Sequence, residues 1–378
     1  MLGINPLNAY AKIFAGAFDG KIAIIATVKI AVPLLITSLG ITLAFKMQFW
    51  NIGAEGQVLM GGLMSVVMIK YLGGKVDNSL LIILMLIMAI IGGAVWAVIP
   101  ALFKAKWNTN ETLFTLMMNY IATGLISICI AVWVTSGSQV LGVLKFGRLP
   151  KIGGYNYILN VIIVAMITIV VSIYLKFSKH GYELSVVGES QNTAKYIGIS
   201  VPKVIVRTML LSGALSGIAG WLLVAGTSYT ISTDTAGGMG FTAILVAWLG
   251  GLNPIAMVLT SLLVQFFNIG AAYAGSSFGF GTAFPEIITG VFFFVVIASE
   301  FFVNYRVKLS PALAAKLKRK KDKDECDNSS NKQNDCTYAQ CNPCDDNSNQ
   351  QVEMNDVTDD NTANNDSVAD NSEKEVND

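Results

Sequence analysis

The sequence predicts an all-α, polytopic membrane protein with about nine membrane segments and a disordered C-terminal tail. Three observations predict it. Hydrophobic residues make up 53% of the 378 positions, charged residues only 13%, and mean hydropathy is +0.56, a composition unlike that of soluble globular chains. Apolar residues gather into runs of about the 17–25 residues needed to cross hydrocarbon. Charge divides along the chain: residues 1–310 carry 18 Lys/Arg against 9 Asp/Glu, whereas residues 311–378 carry 8 against 16.

The segments follow in order. Ile22–Phe45 is the first, with Pro33 expected to kink it. Glu55–Ile69 is short and Gly-rich, which suits a re-entrant or tilted span. Leu80–Phe103, Leu113–Thr135 and Tyr157–Phe177 are long enough to cross, as is Val204–Ala225. Phe241–Gly251 is too short to cross unless Gly237–Gly240 extends it. Ile255–Ala272 and Ile287–Val303 complete the nine. Ser212, Ser216 and Gly220 form one small-residue row four apart, and Gly213 and Gly217 a second. Such rows let helices approach closely.

Lys104 and Lys106, then Lys176, Lys179, Lys195, Lys203 and Arg207, then Arg306 and Lys308, fall on one face if all nine segments cross. That face is expected to be cytoplasmic. Lys145, Arg148 and Lys151 vote the other way. Met1–Gly20 is then placed outside, with no apolar run before Ile22 to act as a signal peptide.

Residues 311–378, rich in Asn, Asp, Ser and Gln, are expected to be a disordered cytoplasmic tail, because they cannot bury enough apolar surface to offset ordering entropy. The basic run Lys316–Lys323 at its start suits an anionic inner leaflet, making membrane lipid a partner. Cys326, Cys336, Cys341 and Cys344 lie in this tail. Cys341 and Cys344 have metal-ligand spacing, but no apolar framework surrounds them, and no metal site is expected. Cys129 reads as packing.

Enzyme signatures are missing. No phosphate-binding G-x-x-x-x-G-K-[ST], H-E-x-x-H or G-x-S-x-G occurs, and His180 is the sole histidine. Polar residues within or beside apolar runs carry the functional interest. Asn51, Glu55 and Gln57 sit among glycines, and Asn119, Gln265 and Asn268 lie inside spans. Each must hydrogen-bond to something, either substrate or neighbouring backbone. In the loop Gly181–Pro202, Ser190 can cap a short helix through Ile197, with Gly198 ending it. Such an element serves equally as a docking site or as an ordinary structured loop.

Five motifs then occur in register: Asn51-Ile-Gly-Ala-Glu-Gly-Gln57, the run Asn110–Ala122, the Gly181–Gly198 loop, Ser212–Gly220 and Trp248-Leu-Gly-Gly-Leu-Asn-Pro254. Together they resemble the permease subunits of bacterial ABC importers in the branched-chain amino acid/ribose superfamily, nearest the nucleoside and simple-sugar branch. The resemblance covers nearly all of residues 1–305 and none of the tail. It implies a plasma-membrane permease of about ten spans, one helix more than is found here. It also implies a cytoplasmic ATPase that binds the ATP, a second permease subunit and an extracellular substrate-binding lipoprotein, with no cofactor in this chain and no nucleic-acid partner. Glu183, Gly188, Asn192, Ala194 and Gly198 match the family's ATPase-coupling loop. Asn51, Glu55, Gln57, Asn119, Gln265 and Asn268 are left as pathway or structural residues. An ion-coupled carrier acting alone and a non-transporting scaffold are the alternatives.

Overall fold

The computed structural model describes residues 6–279, except 19, 135–139, 152, 154 and 156, together with scattered positions of 287–299. The expected ninth segment Ile287–Val303 lies partly outside the described residues, which include 287–291, 294, 295, 298 and 299, all helical. The tail 311–378, the Lys316–Lys323 run and Cys326, Cys336, Cys341 and Cys344 lie wholly outside them.

Among the described residues every regular element is helical: α1 (Pro6–Ala17), α2 (Gly20–Lys46), α3 (Ala54–Leu72), α4 (Asn78–Trp107), α5 (Glu111–Trp133) and α6 (Ile158–Phe177) come first. The short α7 (Lys179–Glu189) and α8 (Gln191–Tyr196) follow, then α9 (Val201–Leu222), which runs on as a π turn (Leu223–Ser228). The short α10 (Met239–Leu249) and then α11 (Pro254–Ser277) complete the order. Six of these are long and apolar enough to cross a membrane: α2, α4, α5, α6, α9 with its π turn, and α11.

The expected nine is therefore not reached among the described residues. The segment at Glu55–Ile69 forms α3, but its polar first turn and Lys70 keep it out of the six. The segment at Phe241–Gly251 forms α10, which stays too short to cross. Gly237 and Gly238 do not lengthen it, because both adopt positive φ (51° and 73°) and so close a turn before the helix begins. No element was expected before Ile22, yet α1 packs along α11 through Ile13 and the ring pairs Phe14–Phe266 and Phe18–Phe266.

Buried residues centre on α2 and α9. In α2 the stretch Ala31–Phe45 is buried throughout, and Pro33 lies inside a continuous helix. Its hydroxyls turn inward on their own backbone: Thr37 donates to Pro33 O (2.9 Å), Ser38 to Leu34 O (2.7 Å) and Thr42 to Ser38 O (2.9 Å). A helix with its polar groups so satisfied can pass through an apolar interior.

The two small-residue rows of α9 share α3 and differ in their other neighbour. Ser212, Ser216 and Gly220 meet α2 and α3, with Gly220 against Val58 O and Gly62. Gly213 and Gly217 meet α4 at Ala89, Gly93 and Ala97, and Gly217 also touches Gly61 of α3. A Cβ on Gly93 would fall 2.7 Å from Gly217 Cα, so backbone touches backbone there.

Specific contacts sort the helix ends. At one end Gly188 of α7 sits on Lys46 O, Lys104 pairs with Glu111 (2.8 Å), and Trp248 meets Trp50. At the other, Asn78 at the start of α4 holds Gly147 N (2.9 Å) and Arg148 O (3.3 Å). The α5–α6 loop there runs antiparallel to the chain leaving α9. Leu149 N donates to Ala225 O (3.1 Å), Leu144 N to Tyr229 O (2.8 Å) and Leu141 N to Ile231 O (3.0 Å). Where the α-helical ladder of α9 gives out, this strand-like loop supplies the missing donors.

Candidate functional site

The polar residues singled out from sequence divide into three sets. The first is a clasp at the start of α3. Gln57 Nε2 donates to Asn51 Oδ1 (3.2 Å), and Asn51 Nδ2 reaches Gln57 Oε1 (3.5 Å) and Ser212 Oγ (3.4 Å). Asn51 Oδ1 also takes the backbone N–H of Gly53 (3.1 Å). Asn119 of α5 accepts from Gly56 N (2.8 Å) and donates to Ile52 O (3.0 Å), while Thr115 accepts from Ile52 N (3.2 Å). All three amides are buried and engaged with protein, so they fasten α3 to α5 and α9.

The second is a single carboxylate. Glu55 straddles the start of α10, taking Gly238 N on Oε1 (2.9 Å) and Gly240 N on Oε2 (2.6 Å). Helix starts leave such N–H groups unpaired, and their dipole favours a negative partner. Here the cap comes from 183 residues away in sequence.

The third is a cavity of about 280 Å³ beside that same helix start. Gln265 and Asn268 of α11 line it, with Thr227 and Ser228 from the π turn, Thr235 and Thr242 around α10, and Ile30 and Leu34 from α2. Gln265 is only 4% exposed, yet among the described residues neither its amide nor that of Asn268 has a hydrogen-bond partner. Amides held ready inside an apolar bundle can bind the hydroxyls of a neutral solute. The four hydroxyl residues were not singled out from sequence. Their one sequence signal was the run of threonines and serines leading into Gly237-Gly238.

The residues expected to form a coupling loop lie elsewhere, at the end of the bundle where α2 stops and α9 begins. The loop holds two helices instead of the expected one, α7 capped by Ser178 and α8 by Ser190. Glu183 pairs with Arg207 of α9 (2.7 Å) and approaches His180 (3.5 Å). The Arg207 guanidinium bonded to it holds the Glu183 carboxyl below the usual carboxylate range, with His180 adding to the effect. Gly188 packs on Lys46 O with no room for a Cβ, and Ala194 is fully buried. These three anchor the loop. Asn192 is exposed and Gly198 turns at φ 86°, flanking Tyr196 (91% exposed) and Ile197 (55%), two apolar projections that sequence reasoning passed over.

Comparison with known proteins places this arrangement. The family described as branched-chain amino acid transport system / permease component matches residues 23–298. A glucose ABC transporter permease protein of Haloferax volcanii is 30% identical over 328 residues, covering 82% of this chain and 85% of that protein. A guanosine ABC transporter permease protein of Bacillus subtilis is 29% identical, covering 84% and 91%. A nucleoside ABC transporter permease protein of Lactococcus lactis subsp. cremoris is 27% identical over the same shares. With a match across most of its length and six helices able to cross a bilayer, the chain belongs to the family of multi-pass ABC transport permeases described as branched-chain amino acid transport system permease components.

Proposed function

We propose that the chain builds part of the passage through an ATP-binding-cassette importer for nucleosides or related sugar-like solutes. One observation carries this. The loop helix α7 is tied at Gly188 to the end of α2 and at Glu183 to the start of α9, and α2 and the continuation of α9 wall the cavity of Gln265 and Asn268. A push on the exposed Tyr196–Gly198 tip is carried along two stiff helices to the place where solute would sit. A separate ATPase on the cytoplasmic side would supply that push and bind the ATP, so this chain needs no cofactor of its own.

The solute class follows from the lining and from the relatives. Two amides and four hydroxyls suit ribose or hexose hydroxyls, and no charged side chain lines the cavity. Relatives named for glucose, guanosine and nucleosides agree with that chemistry. A second permease subunit would close the other side of the passage. An extracellular substrate-binding lipoprotein would deliver solute at the end strapped by the α5–α6 loop, in a bacterial plasma membrane. Asn192, Ala194 and Gly198 form or support the ATPase contact, whereas Asn51, Gln57 and Asn119 hold the frame and Glu55 holds α10.

Uptake of labelled guanosine and glucose by vesicles carrying the assembled complex tests this. Accumulation that requires ATP on the coupling-loop side is expected. Accumulation by the chain alone without ATP would overturn the proposal in favour of an ion-coupled carrier. A complete complex that moves neither solute class would overturn the substrate assignment.

A further inference from the structure

A second recess lies away from the cavity, between the last turns of α4 and the first turns of α9, with a volume of about 910 Å³. Its walls are apolar, formed by Leu102, Phe103, Trp107, Val206 and Leu210. Three cations join them, Lys106, Lys203 and Arg207, and no carboxylate does. The acids nearest by are already engaged: Glu111 with Lys104 (2.8 Å) and Glu183 with Arg207 (2.7 Å). Lys106 rests over the Trp107 ring (4.7 Å), and Lys203 is exposed with no ion pair among the described residues. Arg207 gives one terminal nitrogen to Glu183, and its side chain keeps 34% exposure on the groove.

An apolar trough along two membrane-crossing helices, closed by cations where those helices end, matches the shape and charge of one lipid. We propose that this groove binds an anionic phospholipid, its phosphate received by Lys106, Lys203 and the exposed part of the Arg207 guanidinium, and an acyl chain lying along Leu102, Val206 and Leu210. A soluble anion would leave the apolar walls unused. Hydrocarbon, by contrast, already borders both helices, and basic side chains at a membrane edge attract anionic lipid. The site also has a consequence for the loop. Arg207 is the residue that tethers Glu183 on α7, so a phosphate against the exposed guanidinium braces the group that holds this loop in place.

Native mass spectrometry of the full chain, released from nanodiscs of equal parts phosphatidylglycerol and phosphatidylcholine, reads this directly and without transport. It therefore stands or falls separately from the importer proposal. Preferential retention of phosphatidylglycerol is expected. Lys106→Gln or Lys203→Gln should each lower its retention about fivefold, and the pair roughly thirtyfold. Lys106→Arg should restore it, and Val206→Trp should lower it with all cations present. Lys145→Gln, at the opposite end, should change nothing. Equal retention of both lipids, or a double variant that holds phosphatidylglycerol as the parent does, overturns the proposal. So does a photo-reactive group at position 203 that, in membranes, captures another subunit in place of lipid.

Discussion

The clasp at α3 and the cavity at α10 are built from the same chemistry and do opposite things with it. Asn51, Gln57 and Asn119 spend their amides on one another and on the backbone of residues 52–56. Gln265, buried, and Asn268, half-buried, keep theirs facing an open volume. A buried amide with protein partners is a fastener, and one without them is available to a ligand. Glu55 stands between the two sets. It belongs by sequence to the clasp but holds the helix that forms the cavity's edge.

The sharpest way to break this contrast is to remove a fastener. Asn119→Leu strands Gly56 N–H and Ile52 C=O and should lower stability by about 3 kcal/mol, seen as an earlier thermal unfolding transition in detergent. An unchanged transition would show that the amide is not structural. Glu55→Leu uncaps α10 and should cost about 2–3 kcal/mol, with a loss of uptake larger than the loss of folded protein, because the cavity wall moves as well. Equal losses would reduce Glu55 to another fastener.

The cavity should respond in the reverse sense. Gln265→Leu leaves no protein group unpaired, so stability should change by less than about 0.5 kcal/mol while solute affinity falls about tenfold. Binding of labelled nucleoside to the purified complex measures this, and destabilisation without an affinity change would erase the distinction drawn above.

Smaller still is the tether of α7. Glu183→Gln keeps the shape and loses the charge, and because the pair is partly solvated it should cost less than about 1 kcal/mol. Arg207 depresses the Glu183 carboxyl, so the tether's contribution is complete at neutral pH and is lost as pH falls through the folded-state value, below the usual carboxylate range. Hydrogen-exchange protection across Lys179–Glu189, taken relative to the intrinsic rate at each pH, should therefore fall only in acid, and the acid-dependent fall should vanish in the Gln variant. Protection that fails near neutrality would contradict the pairing.

Much of this was legible before any coordinates. Long apolar runs with few charges admit little besides membrane helices, so α2, α4, α5, α6, α9 and α11 followed from composition and length. Ser190 announced its cap and accepts the backbone N–H three residues on, from Thr193 (3.2 Å). Gly213 and Gly217 were readable as a packing row, though not which helix they would meet. Less accessible were α1, whose aromatic face finds its partner only on α11, and the division of the loop into α7 and α8. The exposed Tyr196 and Ile197 look in sequence like any other apolar residues, because exposure depends on what packs nearby.

The chain by itself determined its solvent, its helices and its family, since hydropathy, helix caps and ordered motifs are local properties that survive without partners. Which of the polar side chains inside the bundle are fasteners and which are free was decided only by the tertiary structure. That choice depends on whether another segment, such as Gly238–Gly240 for Glu55 or Ile52–Gly56 for Asn119, arrives within hydrogen-bonding distance. Such meetings are made by packing across scores of residues, and no spacing along the chain records them.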